Sequence, residues 1–392
     1  MSITHSKAKS SSGQPLSSYC SIVLLFDCFI VVDLAIEQCN NVAMILRSIR
    51  LQNFRSYPKA QFEFDLGTTI IIGPNTAGKT NIVEAVSLLS LGKSFKGATD
   101  DQILRFEASH GRVIGTTDEN KLEVIIQEKE QGRMKYAVNG VAKRRVDFVG
   151  RLPAVFFSPV DLEIISGSPS HRREFLDTLL EQTNASYRRA LTEYMKALRQ
   201  RNALIQLVQE TGKRDNERFE YWDGLLIQYG SFIHQQRASL IEFINNAGKN
   251  IFNCQLVYDH SIVSEARLNQ YRDAEVGSGV TLVGPHRDDV SIIMSVSTKP
   301  MRGQESVKIF GSRGQQRLVV LQLKLLQLQY MEEKLSVKPL FVLDDIFSEL
   351  DAGHIDLVLN QVPKQQTVIT TTHEEFVASF RLSDSSVIEL RV

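Results

Sequence analysis

Neither sign of charge is in excess in this sequence, because 45 basic residues balance 45 acidic ones for a formal net charge of zero. A uniformly basic nucleic-acid binder is excluded, so any surface for a polyanion must be a local patch. Cysteine is scarce: Cys20, Cys28, Cys39 and Cys254 have no spacing that suits a zinc site or a disulfide framework. That usage fits a reducing, cytoplasmic compartment. A long uninterrupted apolar run is also missing. The stretch from Ile22 to Ile36 is short for a bilayer and carries Asp27 and Asp33, and an aspartate at the centre of a span costs roughly 2.5–3.5 kcal/mol on insertion scales. The same aspartates interrupt the apolar region that a signal peptide needs. Residues 1–43 are therefore read as an extension with no settled fold ahead of a start at Met44, and no membrane association is expected.

From Met44 the pattern is strand-rich. Ile49 and Leu51 flank Arg50, and Phe62 and Phe64 flank Glu63, both alternations of period two. Thr69-Ile70-Ile71-Ile72 is a continuous β-branched run that suits a buried strand. Ile82 to Leu91 reads as helix, and Lys121–Ile126 with Arg133–Val138 as a hairpin followed by an Asn139-Gly140 turn. Between His171 and Phe252 the pattern becomes long and helical. Phe219, Trp222, Leu226, Tyr229, Ile233, Gln236, Leu240 and Phe243 alternate spacings of three and four, a heptad-like seam. Leu191, Met195, Leu198, Ile205 and Val208 offer the partner stripe, with a polar turn over residues 211–218. A compact helical subdomain is expected here rather than a projecting coiled coil. Strands return after residue 255. A helix is expected from Gln315 to about Glu333, then the apolar strand Leu340–Leu343, and a last strand at Thr367–Ile369.

The chemistry is concentrated in a few short motifs. Gly73-Pro74-Asn75-Thr76-Ala77-Gly78-Lys79-Thr80 is a complete G-x-x-x-x-G-K-[ST] P-loop placed after a buried strand and before a helix. Its glycines let backbone N–H groups turn inward onto phosphate oxygens, Lys79 supplies a charge to the β- and γ-phosphates, and the Thr80 hydroxyl can ligate Mg²⁺. The implied cofactors are ATP and Mg²⁺. Asp344 ends an apolar strand where a Walker B carboxylate would hold the metal through water, and Asp345 is the candidate general base for the attacking water. Lys79 and Asp344 are 265 positions apart, yet both must reach one magnesium, so the N- and C-terminal segments have to fold into one lobe.

Further motifs complete the pattern. Ser312-Arg313-Gly314-Gln315 resembles the Ser-x-Gly-Gln signature of ABC ATPases, whose helix start donates to the nucleotide held by a second subunit. Ser348-Glu349-Leu350-Asp351 resembles the D-loop that follows Walker B. His373, after Thr370-Thr371-Thr372, resembles the switch histidine that senses the γ-phosphate. The fold class expected is α/β: an ABC-type, Rad50-like P-loop ATPase head, built from an N-terminal part over residues 44–165 and a C-terminal part over residues 256–392. A mainly helical domain over residues 166–255 is inserted between them. For contact with DNA, Lys143-Arg144-Arg145, with Arg133, Lys135 and Arg151 nearby, is the densest basic cluster. Arg188, Arg189, Lys196, Arg199 and Arg201 add charge along one helix.

Three segments carry a more specific resemblance, to the RecF family. They are Asn53-Phe54-Arg55-Ser56-Tyr57, then Ser158-Pro159-Val160-Asp161-Leu162 with Gly167-Ser168-Pro169 and Arg172-Arg173-Glu174-Phe175-Leu176-Asp177, and finally Gly284-Pro285-His286-Arg287-Asp288-Asp289. Val160 departs from the acidic or amide residue usual in that family, and Thr76 stands where the ABC P-loop commonly has glycine. The resemblance implies ATP-dependent homodimerisation, weak DNA-dependent ATPase activity and binding to DNA at single-strand gaps or junctions. It also implies cooperation with RecR and RecO in loading a recombinase and in the SOS response. An SMC- or Rad50-like DNA clamp of another pathway and a transporter ATPase subunit are the alternatives.

Overall fold

The β-branched run ahead of the P-loop forms β3 (Thr68–Ile72), all five residues of which are buried. Burial on both faces calls for parallel neighbours covered by helices, and β3 lies between two such strands. The parallel sheet has the order β13-β3-β12-β11-β8, built from β8 (Ala154–Phe157), β11 (Leu340–Asp344), β12 (Thr367–Thr371) and β13 (Ser385–Glu389). The computed structural model describes residues 45–127, 134–294, 306–345, 355, 365–373 and 385–391. Residues 1–44, Arg133 and the D-loop-like Ser348–Asp351 lie outside the described residues.

A second sheet is wholly antiparallel, with the order β2-β1-β4-β5-β6-β7. Its strands are β1 (Leu46–Phe54), β2 (Tyr57–Glu63), β4 (His110–Thr117), β5 (Lys121–Gln127), β6 (Lys135–Val138) and β7 (Val141–Lys143). β4 and β5 alternate buried and accessible residues, the mark of a sheet with one face on a core and one in water. The helix α1 (Lys79–Leu91) lies between the two sheets, which is why eleven of its thirteen residues are buried rather than one stripe. Its apolar residues share one core with Val113, Leu122 and Val124 of the antiparallel sheet and Ile71, Val342 and Val368 of the parallel one.

The helical segment comprises α2 (Pro169–Thr183), α3 (Ala185–Thr211) and α4 (Asn216–Asn246). Asn184 caps α3 by accepting from the Tyr187 N–H at 3.0 Å, and Asp215 caps α4 by accepting from the Arg218 N–H at 3.2 Å. The turn is therefore shorter than the polar stretch 211–218, because Asp215 starts the next helix inside it. Both helices pack back onto the rest of the fold, α3 against α2 and the short helix Arg145–Phe148, and α4 against α2 and the strand β9 (Cys254–Asp259).

The seam between α3 and α4 keeps Trp222 packed at its expected place but differs from the apolar pattern by one residue at the three alternate positions that follow. Phe219, Leu226, Ile233 and Leu240 are buried, but the residues alternating with them are Gly230, Arg237 and Ile244, while Tyr229, Gln236 and Phe243 stay at the margin. On α3 the buried set is Tyr187, Ala190, Tyr194, Ala197, Leu198, Arg201, Leu204 and Ile205, and Met195 is 40% exposed. Hydrophobicity alone misplaces this seam, because two arginines and a glycine occupy it. A Cβ on Gly230 would meet Val263 at 2.5 Å, so only glycine admits that approach.

Two elements were not legible in the pattern. β13, edging the sheet beside β3, corrects the expectation that Thr367–Ile369 is the last strand; its sequence Ser-Ser-Val-Ile-Glu is short and half polar. β8 pairs with β11, and its four fully buried residues offer no alternation to read. The strand β10 (Asp289–Met294) pairs antiparallel with β9. The helix α5 (Arg313–Leu335) leads into β11.

Candidate functional site

The P-loop leaves β3 at its carboxyl end, tied to the neighbouring strand by a Gly73 N–H that donates to the Thr371 carbonyl at 3.4 Å. Gly78 adopts φ 95°, and a Cβ there would stand 2.6 Å from the Tyr57 hydroxyl oxygen, so both conformation and space require glycine. Thr76 is exposed at φ 73°. A β-branched residue in the left-handed region stores strain of about 1–3 kcal/mol. The Lys79 side chain is 7% exposed, and its Nζ donates to the carbonyls of Gly73 at 2.7 Å and Pro74 at 2.9 Å. Burial lowers its pKa from the usual lysine range, while the charges of Asp345 and Asp344 act to raise it. This ammonium is therefore held inside the loop by those two carbonyls, within the field of both carboxylates.

Asp344 ends β11 and Asp345 follows it; β11 stands two strands from β3, with β12 between. Asp344 is buried, and its Oδ1 accepts from the Thr370 hydroxyl at 2.7 Å and from the Thr80 hydroxyl at 3.3 Å. Residues 264 positions apart thus meet at the carboxyl edge of the sheet. Burial raises the Asp344 pKa above the usual carboxylate range, the Thr370 hydroxyl and the Lys96 charge oppose it, and the neighbouring Asp345 adds to the rise. A buried carboxylate destabilised in this way, with a hydroxyl beside it, is a donor set of the hard-oxygen kind that Mg²⁺ prefers. Asp345 follows with φ 52°, its N–H donating to the Thr370 carbonyl at 3.2 Å and hydroxyl at 3.1 Å. His373 leaves the end of β12, its N–H donating to the Thr371 hydroxyl at 3.1 Å. Since β12 separates β3 from β11, His373 emerges between the P-loop strand and the Asp344 strand.

Ser312, Gly314 and Gln315 are elsewhere. Ser312 caps α5 in a reciprocal box: its Oγ accepts from the Gln315 N–H at 3.3 Å, and its own N–H donates to Gln315 Oε1 at 2.8 Å. Midway along α5, Lys324 pairs with Asp161 at 2.6 Å, just beyond the carboxyl end of β8. At 1.5 Å per residue, Ser312 stands about 18 Å further along the helix axis. No hydrogen bond among the described residues links this turn to its own P-loop.

The basic cluster divides on inspection. Lys143 is exposed at the end of β7, and Arg144 reaches solvent while pairing with Asp147 at 3.0 Å. Arg145 turns inward to Glu181 at 2.8 Å and to the Leu91 carbonyl at 2.8 Å. Arg188 likewise donates to the carbonyls of Val146 and Glu181, and Arg201 is buried against Asp223 and Glu275. Three arginines expected at a DNA surface are therefore committed to internal contacts, Arg145 and Arg201 with acids and Arg188 with backbone carbonyls, which a count of basic residues does not register.

Other residues around the site carried no assignment from the motifs. Tyr57 covers the P-loop, donating to the Ala77 carbonyl at 3.4 Å, and burial lifts its phenol to about 12. Arg55 grips buried Glu84 of α1 in a bidentate pair, both contacts 2.7 Å, so the Asn53–Tyr57 motif fixes the helix that carries Lys79. Gly284–Asp289 builds a buried ionic node, and Pro285 and His286 of the motif also line a cavity with Arg173, Asp177 and Arg237. Asp288 accepts from Arg237 at 2.8 Å, from the Ser261 N–H at 2.8 Å and from His234 at 3.1 Å, with Tyr258 a fourth donor. Arg237 also grips Asp177 at 2.8 Å, and Arg172 grips Asp289 at 2.7 Å. Burial alone would raise the Asp288 pKa, but the donors His234 and Tyr258 more than offset it and hold the carboxyl below its usual range.

A P-loop and a buried carboxylate on a nearby parallel strand, with an antiparallel sheet across α1, define an ABC-type P-loop ATPase fold. Residues 45–387 match the family described as RecF/RecN/SMC N terminal domain. The chain is 34% identical over 359 residues to the DNA replication and repair protein RecF of Moorella thermoacetica, covering 88% of this chain and 94% of that one. To the RecF protein of Lachnoclostridium phytofermentans it is 35% identical over 351 residues, covering 85% and 94%. Among solved structures it resembles that of the recombination mediator protein RecF–ATP in the RecFOR pathway, with a TM-score of 0.77 at 29% identity and coverage of 86% and 94%. The chain belongs to the RecF family.

Proposed function

We propose that this chain is an ATP-binding protein of DNA repair and recombination, acting in a RecFOR-type pathway in the cytoplasm, and that ATP closes two copies head to head. Backbone N–H groups of residues 73–80 hold the phosphates, and Lys79 leaves the Gly73 and Pro74 carbonyls to meet the β- and γ-phosphates. Thr80 and Asp344 would hold Mg²⁺, which supplies positive charge against the phosphates when bound. Asp345 accepts the proton of the attacking water, and His373 orients on the γ-phosphate. Ser312, Gly314 and Gln315 of one copy complete the site of the other. Lys143 and Arg144 contribute phosphate contacts to DNA at gaps or junctions, with partners of the RecR and RecO kind.

The observation that carries the reading is the 3.3 Å approach of the Thr80 hydroxyl to the Asp344 carboxylate under the P-loop. Because aspartate at 345 is one methylene shorter than the glutamate common at that position in ABC proteins, hydrolysis is slow, below the roughly 10 s⁻¹ typical of enzymes. Sizing the protein with and without ATP tests the proposal. Wild type should shift from monomer to dimer with ATP, Lys79→Met should not, and Asp345→Asn should stay dimeric while losing turnover. A wild type that remains monomeric with ATP and DNA overturns the composite site.

A further inference from the structure

The antiparallel sheet buries one face on α1 and leaves the other to solvent. Strand pairing lays exposed cations from three separate segments in one row across that open face. Lys59 on β2 is opposite Gln52 on β1, Gln52 is opposite Arg112 on β4, Arg112 is opposite Ile125 on β5, and Ile125 is opposite Lys135 on β6. All three cations are exposed. At about 4.8 Å per strand the row spans roughly 19 Å, with the charges about 9.6 Å apart. Arg112 pairs with Glu123 at 2.9 Å, whereas neither Lys59 nor Lys135 is in an ion pair among the described residues. The acids Glu63, Asp118 and Glu119 stand at the opposite end of the strands, where Arg47 pairs with Asp118 and Lys121 is also exposed.

Beside the basic end stands the most exposed large apolar side chain of the described residues, Phe106, at 86%. It sits in a turn closed by the Ala108 N–H donating to the Arg105 carbonyl at 3.0 Å, with Glu107 at φ 64°. The turn is anchored to β1 by the Arg105 N–H donating to the Asn53 carbonyl at 3.1 Å. A lone exposed aromatic is ordinary on a protein surface. A rigidly mounted one at the end of a cation row has the two parts of a nucleic-acid surface: charge that tracks phosphates and a ring on which an unpaired base can stack.

We infer that the open face of the antiparallel sheet is a DNA-binding surface, with Lys59, Arg112 and Lys135 along the duplex backbone and Phe106 against an unstacked base where the duplex gives way to a gap. This rests on the reading above that the chain binds DNA, and it places the main contact on a different surface from Lys143 and Arg144. Affinity for intact duplex and for duplex with a single-strand gap is measured over a salt series, for wild type, Lys59→Ala/Lys135→Ala and Phe106→Ala, each first shown to bind a fluorescent ATP analogue as wild type does. The double variant should weaken both DNAs and reduce the slope of log affinity against log salt by about 1.8, two phosphate contacts at roughly 0.9 each. Phe106→Ala should lower affinity for gapped DNA roughly tenfold and leave intact duplex unchanged. An unaltered salt slope in the double variant, or an equal effect of Phe106→Ala on both DNAs, overturns the surface. A wild type that binds neither DNA removes the DNA-binding reading itself.

Discussion

Asp288→Asn perturbs the node that ties α4 and β9 to the Gly284–Asp289 motif. The carboxylate is 1% exposed, and its partner Arg237 is 2% exposed. Asp288 Oδ1 accepts from His234 and the Ser261 N–H, and Oδ2 accepts from Arg237 and Tyr258. Asparagine offers one acceptor oxygen, so in either orientation its NH₂ faces two donors. Arg237 keeps Asp177, so the cost is that of the orphaned donors. At about 1–3 kcal/mol for each of the two buried unsatisfied groups, the loss is roughly 2–6 kcal/mol, or about 4–12 °C in Tm at the lower sensitivity expected of a large chain. Thermal unfolding at pH 7, beside Asp147→Asn in the exposed pair with Arg144, provides the comparison; a surface pair contributes at most about 1 kcal/mol. The Asp288 pKa is depressed in the fold, so its stabilisation is present above the unfolded pKa of about 3.9 and is lost as pH falls through the lower folded value. Wild type and Asp288→Asn should therefore converge in strong acid. Equal Tm shifts for the two variants at pH 7 would refute the argument.

Two further outcomes are expected. Gly78→Ala should abolish binding of a fluorescent ATP analogue while leaving the far-ultraviolet spectrum intact, since φ 95° and a Cβ 2.6 Å from the Tyr57 hydroxyl distort the loop locally; retained affinity would show that the loop tolerates a side chain there. His286 receives the Tyr194 hydroxyl on Nδ1 at 2.7 Å and faces the Thr281 carbonyl with Nε2 at 3.0 Å, and burial lowers its pKa to about 4. The unfolded chain then binds the extra proton between about pH 6.5 and 4, so stability falls as pH drops through that window, by up to about 3 kcal/mol. His286→Gln offers one acceptor and one donor group without titrating, and its Tm should fall less than that of wild type between pH 7 and 5; parallel curves would remove His286 from the acid response.

What the linear sequence determined by itself is local chemistry. The P-loop follows from adjacent residues whose glycines and lysine act within eight positions, and α5 starts where Ser312 and Gln315 cap each other. The buried strands β3 and β11 could be read from their composition. Tertiary structure decided whatever depends on partners remote in the chain. The approach of Thr80 to Asp344 exists only because β3 and β11 flank β12. The α3–α4 seam runs through Gly230, Arg201 and Arg237 because close packing and buried acids outweigh side-chain hydrophobicity at those positions. Arg145 and Arg188 look like DNA ligands until Glu181 and nearby carbonyls claim them. Lys59, Arg112 and Lys135 align only through strand register, which hydrogen bonds between distant segments impose, and no one segment encodes it.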